Sequence, residues 1–116
     1  MKKLILCTVL LALSSHAYSD RAWFNGASIA RILNQTNAFG ECMVFIDEVL
    51  ADEGLNCKSS WVALSCDGTF NNRDVAARMY DAAMMAMAME KKVNILVDDS
   101  KKQNDYCVAK RIDLLN

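Results

Sequence analysis

The residues with chemistry to offer are five cysteines, several adjacent acids, two tryptophans and seven methionines. Cys7 lies in an apolar stretch at the start. The others, Cys42, Cys57, Cys66 and Cys107, are spaced by 15, 9 and 41 residues with no C-x-x-C pair, so neither a zinc site nor a thioredoxin-like dithiol has a motif behind it. Two acids side by side, Asp98-Asp99 or Asp47-Glu48, supply the minimum for glycoside hydrolysis or part of a Ca²⁺ site. Neighbours on a strand point to opposite faces, however, so neither pair converges by itself. Next to Ser100, Lys101 and Lys102, Asp98 and Asp99 read as a solvated turn. The methionines at 79, 84, 85, 87 and 89 offer thioethers to Cu(I) or an adaptable surface to a partner. The one histidine, His16, lies far off near the start of the chain, so burial against a sheet or a neighbouring subunit is the better account, and no metal or cofactor is expected. Trp23 and Asn25 can form a sugar platform, a ring that stacks and an amide that bonds hydroxyls. The plainer reading makes Trp23 a core residue and Asn25-Gly26 a turn. Trp61 reads as core or interface. Asn34-Gln35-Thr36 is a glycosylation sequon for any chain that enters a eukaryotic secretory route.

The start of the chain sets the context for this chemistry. Lys2 and Lys3 precede the apolar run Leu4 to Leu13, and Ser15 and Ala17 are small residues at the spacing a signal peptidase reads. Residues 1–17 are therefore expected to be a cleaved export signal, and the run is short for a membrane span. The working chain, 18–116, would be a single domain of 99 residues. Loss of Lys2 and Lys3 takes the 13 basic residues to 11 against 14 acidic ones, a net charge of −3 that disfavours nucleic acid. His16, the one histidine, leaves with the signal, which excludes Ser-His and Cys-His nucleophile pairs and His-ligated metals. Cys7 leaves too. Four cysteines in a small exported domain read as two disulfides.

The elements that must position these residues follow from the pattern. Asn25-Gly26 opens a strand over 27–34. Residues 42–50 and 60–66 form a second and third strand around a reversal at 51–54. In that hairpin Cys42 faces Cys66, Val44 faces Leu64 and Ile46 faces Val62, all on one face. Of the three possible pairings, the register favours Cys42–Cys66 and leaves Cys57–Cys107. Met43, Phe45, Trp61 and Ala63 make the other face apolar as well. Asn71 or Asn72 caps a helix from Arg73 to Glu90. Between Ala82 and Met89 this helix has no polar residue, so it needs a partner beyond the sheet. Strands at 93–98 and 106–115 complete a β-β-β-α-β-β order. That order fits a mainly β fold with one helix, a small five-stranded OB-like barrel, with an α+β sandwich as the alternative.

These pieces resemble the B subunits of AB5 toxins, especially the subtilase cytotoxin and pertussis-like group. The resemblance rests on Trp23 to Ile29, on Cys42 and Cys66, on the helix segment Met79-Tyr80-Asp81-Ala82-Ala83, and on Val93 to Val97. It implies an OB-like subunit that assembles as a ring, binds a cell-surface glycan and meets a separate A subunit. Trp23 and Asn25 would hold the glycan, with Asn25 where that group carries a hydroxyl residue. An acid expected slightly upstream is replaced by Arg21 or Ala22. Met43, Phe45, Trp61, Met84, Met85 and Met87 would serve the ring or another partner. The sequence as a whole is thus expected to be a secreted or periplasmic binding module without enzyme activity. The alternative is a protein-interaction module, an inhibitor or accessory factor, without glycan binding.

Overall fold

The structure, a computed structural model, describes residues 20–116, so the expected signal over 1–17 lies outside the described residues. The elements are β1 (Arg21–Ala27), β2 (Ile29–Asn34), β3 (Cys42–Ile46), β4 (Trp61–Ala63), α1 (Arg73–Ala88), β5 (Val93–Gln103) and β6 (Tyr106–Leu114). The described residues are mainly β with one helix and two disulfides, Cys42–Cys66 and Cys57–Cys107.

The expected closed barrel of five strands is not formed. One mixed sheet of six strands runs β1-β5-β6-β4-β3-β2, with β4 and β6 parallel. The expected first strand, 27–34, is two segments broken at Ser28, and its first half starts earlier, at Arg21. Asn25-Gly26 is not the turn that opens it. Gly26, at φ 69°, sits where the β1–β5 register shifts between Phe24 and Ala27, so the glycine serves a bulge inside the strand. A positive-φ glycine suits a bulge as well as a turn, which is why the pair misleads. Ser28 is fixed on both sides: its N–H donates to Asp47 Oδ1 at 2.7 Å, and its hydroxyl accepts from Lys92 Nζ. The two edge strands of the sheet therefore follow one another through a single anchored residue.

The hairpin register also differs. Val44 lies opposite Val62 and Phe45 opposite Trp61, a slip of two residues from the expected pairing. The connection from Asp47 to Ser60 is long and contains a 3-10 turn at Leu50–Glu53, so no tight reversal sets the register. A slip of two keeps every side chain on its own face. Ser65, at φ 59°, then bends the chain so that Cys66 returns to Cys42, with Cα atoms 5.7 Å apart.

Asn72 caps α1, accepting from the Asp74 and Val75 N–H groups. Asn71 does other work: its Nδ2 donates to the Leu64 and Ala109 carbonyls, both at 2.8 Å, and ties β4's end to β6. The inward side of α1, Ala76, Met79, Ala83 and Ala86, closes on a core that includes Phe24, Val44, Ile46, Leu64, Ile95 and Val97. A smaller cluster lies on the opposite side of the sheet, with Met43, Ala63 and Val108 buried under Leu33, Phe39, Trp61, Phe70 and Tyr106.

Candidate functional site

The chemistry-bearing residues fall in three places. On β1, Trp23 and Asn25 are both exposed and Phe24 between them is buried, as strand alternation requires. Trp23 is 38% exposed, and the Arg111 guanidinium of β6 lies 5.4 Å from its ring centroid. Trp23 is thus a surface aromatic beside a cation rather than a core residue.

Along α1, Met84, Met85, Met87 and Met89 are exposed, Met85 by 50%, with Val75 and Leu114 of β6 open as well. Met79 points inward instead. One turn of the helix thus alternates small alanines against the sheet with long methionines towards solvent. Of the residues expected at an interface, Met43 is not available: it is 1% exposed, because side chains from β2, β4 and β6 close over it. Phe45 and Trp61 are half-buried, packed edge to face at 5.3 Å, and Arg31 lies 5.2 Å over the Trp61 ring.

The third place was not legible as a site. The turn at Phe39–Glu41 has φ values of 55°, 66° at Gly40 and 70°, so it winds left-handed. Each non-glycine residue held there costs about 1–2 kcal/mol. Asn37, Ser65, Asn104 and Asp105 also have positive φ, and among the described residues only one further non-glycine residue, Glu90 at the end of α1, does so. A cavity of about 250 Å³ opens between this turn, Asp67, Gln103 and Asn104. Asp67 accepts from Ser65 Oγ, from the Thr69 N–H and hydroxyl, and from Gln103 Nε2 at 3.0 Å. Burial raises its carboxyl, but the bonds from Thr69, Ser65 and Gln103 outweigh that and hold it below the ordinary carboxylate value. Gln103 Oε1 is buried without a partner among the described residues, against Gly40, where a Cβ would stand 2.8 Å from it. An orphaned buried acceptor costs about 1–3 kcal/mol. Strain and an unmet acceptor are concentrated here, a pattern that accompanies binding sites. The turn residues at Asn37–Gly40 and Asp67-Gly68 were the available signal, but each reads as an isolated turn.

Asp98 is not in a solvated turn. It is 4% exposed on β5 and accepts from Arg21 Nε at 2.8 Å and from Ser100 N and Oγ. Burial raises its carboxyl, while Ser100 and then Arg21 bring it below the ordinary value. Asp99 turns elsewhere and accepts from the Asn56 N–H at 2.7 Å, so the two acids do not converge. The second acidic pair is likewise divided, with Asp47 committed to Ser28. Asn34 is exposed at the end of β2. Among the described residues no three His, Cys, Asp or Glu side chains are grouped to hold a metal ion, and no helix is long and apolar enough to cross a membrane. No protein-family model, no curated protein and no solved structure matches the chain.

Proposed function

We propose that this chain is an exported, non-catalytic binding module that assembles with copies of itself and presents a glycan-binding surface, after the manner of the toxin B subunits it resembles. The observation that carries the reading is the open methionine row of α1. Met84, Met85, Met87 and Met89 fan around the exposed sides of the last turns of a helix whose inward side is already filled by the core, Met87 towards Ser28 and Ile29, Met85 and Met89 towards Leu114. Contiguous apolar surface of this kind marks an interaction site, and unbranched thioethers adapt to a facing helix. Two disulfides in so small a domain suit an oxidising compartment.

The fold supports the same reading. The chain passes from one sheet edge to the other through Ser28, a continuity that speaks for an OB-like reading of the open sheet. Trp23 offers a ring for stacking, Asn25 an amide for hydroxyls and Arg111 a cation for an acidic sugar. Light scattering on the purified secreted protein tests the assembly: a mass several times that of one chain is expected, and Met85→Glu with Met87→Glu should return it to one chain. A monomer at all concentrations would remove the ring. A glycan array tests the surface, with hits lost in Trp23→Ala. A monomer that captures one specific protein and no glycan would favour the protein-interaction module instead.

A further inference from the structure

We infer that the cavity between the Phe39–Glu41 turn, Asp67 and Gln103 is a second ligand site, separate from Trp23 and Asn25, and that it takes an uncharged, hydroxyl-rich ligand such as a neutral mono- or disaccharide. The space is the first argument. The cavity of about 250 Å³ adjoins another of about 280 Å³ lined by Asn34, Gln35 and Thr36, and Glu41 borders both. Small-ligand sites begin at about this size, so each cavity suits one ring and neither suits a folded partner.

The wall decides the ligand's charge. Its side chains are carboxamides, a hydroxyl, two carboxylates and an aromatic ring, with no lysine or arginine among the lining residues described. A phosphate, a sulfate or a sialic acid would meet like charge there and no counter-ion. A metal cation is disfavoured for a different reason. Both Asp67 oxygens are already filled, each accepting two hydrogen bonds, so among the described lining residues Glu41 is the one carboxylate left to the cavity. Amides of Asn37 and Asn104 with a single free carboxylate match hydroxyl groups, which both donate and accept.

The wall is also fixed before any ligand arrives. Gly40 leaves no room for a side chain between Gln103 Oε1 and Ser65 Cα, Asp67 clamps Gln103, and Ser65 Oγ accepts from the Phe70 N–H at 2.8 Å. Groups held in place lose little freedom on binding, and the left-handed turn is the cost of holding them. Phe39, edge-on to Tyr106 at 6.0 Å between centroids, gives the rim an apolar face for a sugar's C–H side.

The test is a ¹⁵N-resolved NMR titration of the purified protein with lactose, maltose and N,N′-diacetylchitobiose, and with 3′-sialyllactose as the charged counterpart. At least one neutral disaccharide should shift the amides of Gly40, Glu41 and Asn104, and 3′-sialyllactose should bind there no tighter than lactose. Glu41→Gln keeps the shape of the side chain and should weaken this binding by about tenfold, the loss of a charge-assisted hydrogen bond, with the thermal midpoint unchanged. Trp23→Ala should leave it as it was. No shift with any of the neutral sugars overturns the inference. Shifts confined to Trp23 and Asn25 also overturn it, while they support the glycan surface proposed above. Tighter binding of 3′-sialyllactose at Glu41 overturns the neutral ligand class.

Discussion

The outer face of β3 and β4 and the outer side of the last two turns of α1 are both apolar, yet the protein covers the first with its own side chains and leaves the second open. The difference lies in what flanks each face. Strands sit close enough for long residues of β2 and β6 to lean over Met43, and the aromatic rings of Phe39, Trp61 and Tyr106 complete the cover. Above α1 no further element lies among the described residues, and Met84, Met85, Met87 and Met89 stay exposed. Apolar character alone therefore does not tell self-packing from partner surface; the neighbours do.

Reduction should have the largest effect, about 2–4 kcal/mol per bridge, because Cys42–Cys66 ties β3 to the chain just past β4 and Cys57–Cys107 ties the long connection to β6. Denaturant melts with and without reductant would measure it, and coincident curves would mean the bridges stabilise neither. Next comes Met43→Ala, expected to cost about 2–5 kcal/mol as a core truncation, against a change within about 0.5 kcal/mol for Met85→Ala in a chain held monomeric by dilution. Equal losses for the two would erase the distinction between the faces. A smaller effect concerns acid. The folded carboxyl of Asp98 lies below its usual value of 3.8, so the stability it contributes is present above that value and is lost as pH falls through the folded one. Thermal melts from about pH 6 to about pH 2 should therefore fall more steeply for the native chain than for Asp98→Asn. Parallel curves would show that the Arg21 and Ser100 contacts do not favour the ionised form.

Some of this was legible beforehand for identifiable reasons. The cysteine pairing emerged although the hairpin register was two residues off, since a slip of two preserves the face and Ser65 brings Cys66 back. The helix began where an asparagine cap placed it, because capping is local chemistry. β1 was hidden because Asn25-Gly26 carries the same signature in a bulge as in a turn. Asp98 was misread because its partner, Arg21, is 77 residues away in sequence. The cavity at Glu41 was invisible for the same kind of reason, since two ordinary turns and Gln103 meet only across the sheet.

What is local or countable can be read from the residues alone: an even set of four cysteines after residue 17, a capped helix with no polar residue from Ala82 to Met89, strands with two-residue alternation, and an acidic balance. Which apolar face is covered, which carboxylate is buried and where strained turns converge are set by the packed fold. Those properties depend on contacts between residues far apart in the chain, and a pattern of residue types carries no distance between them.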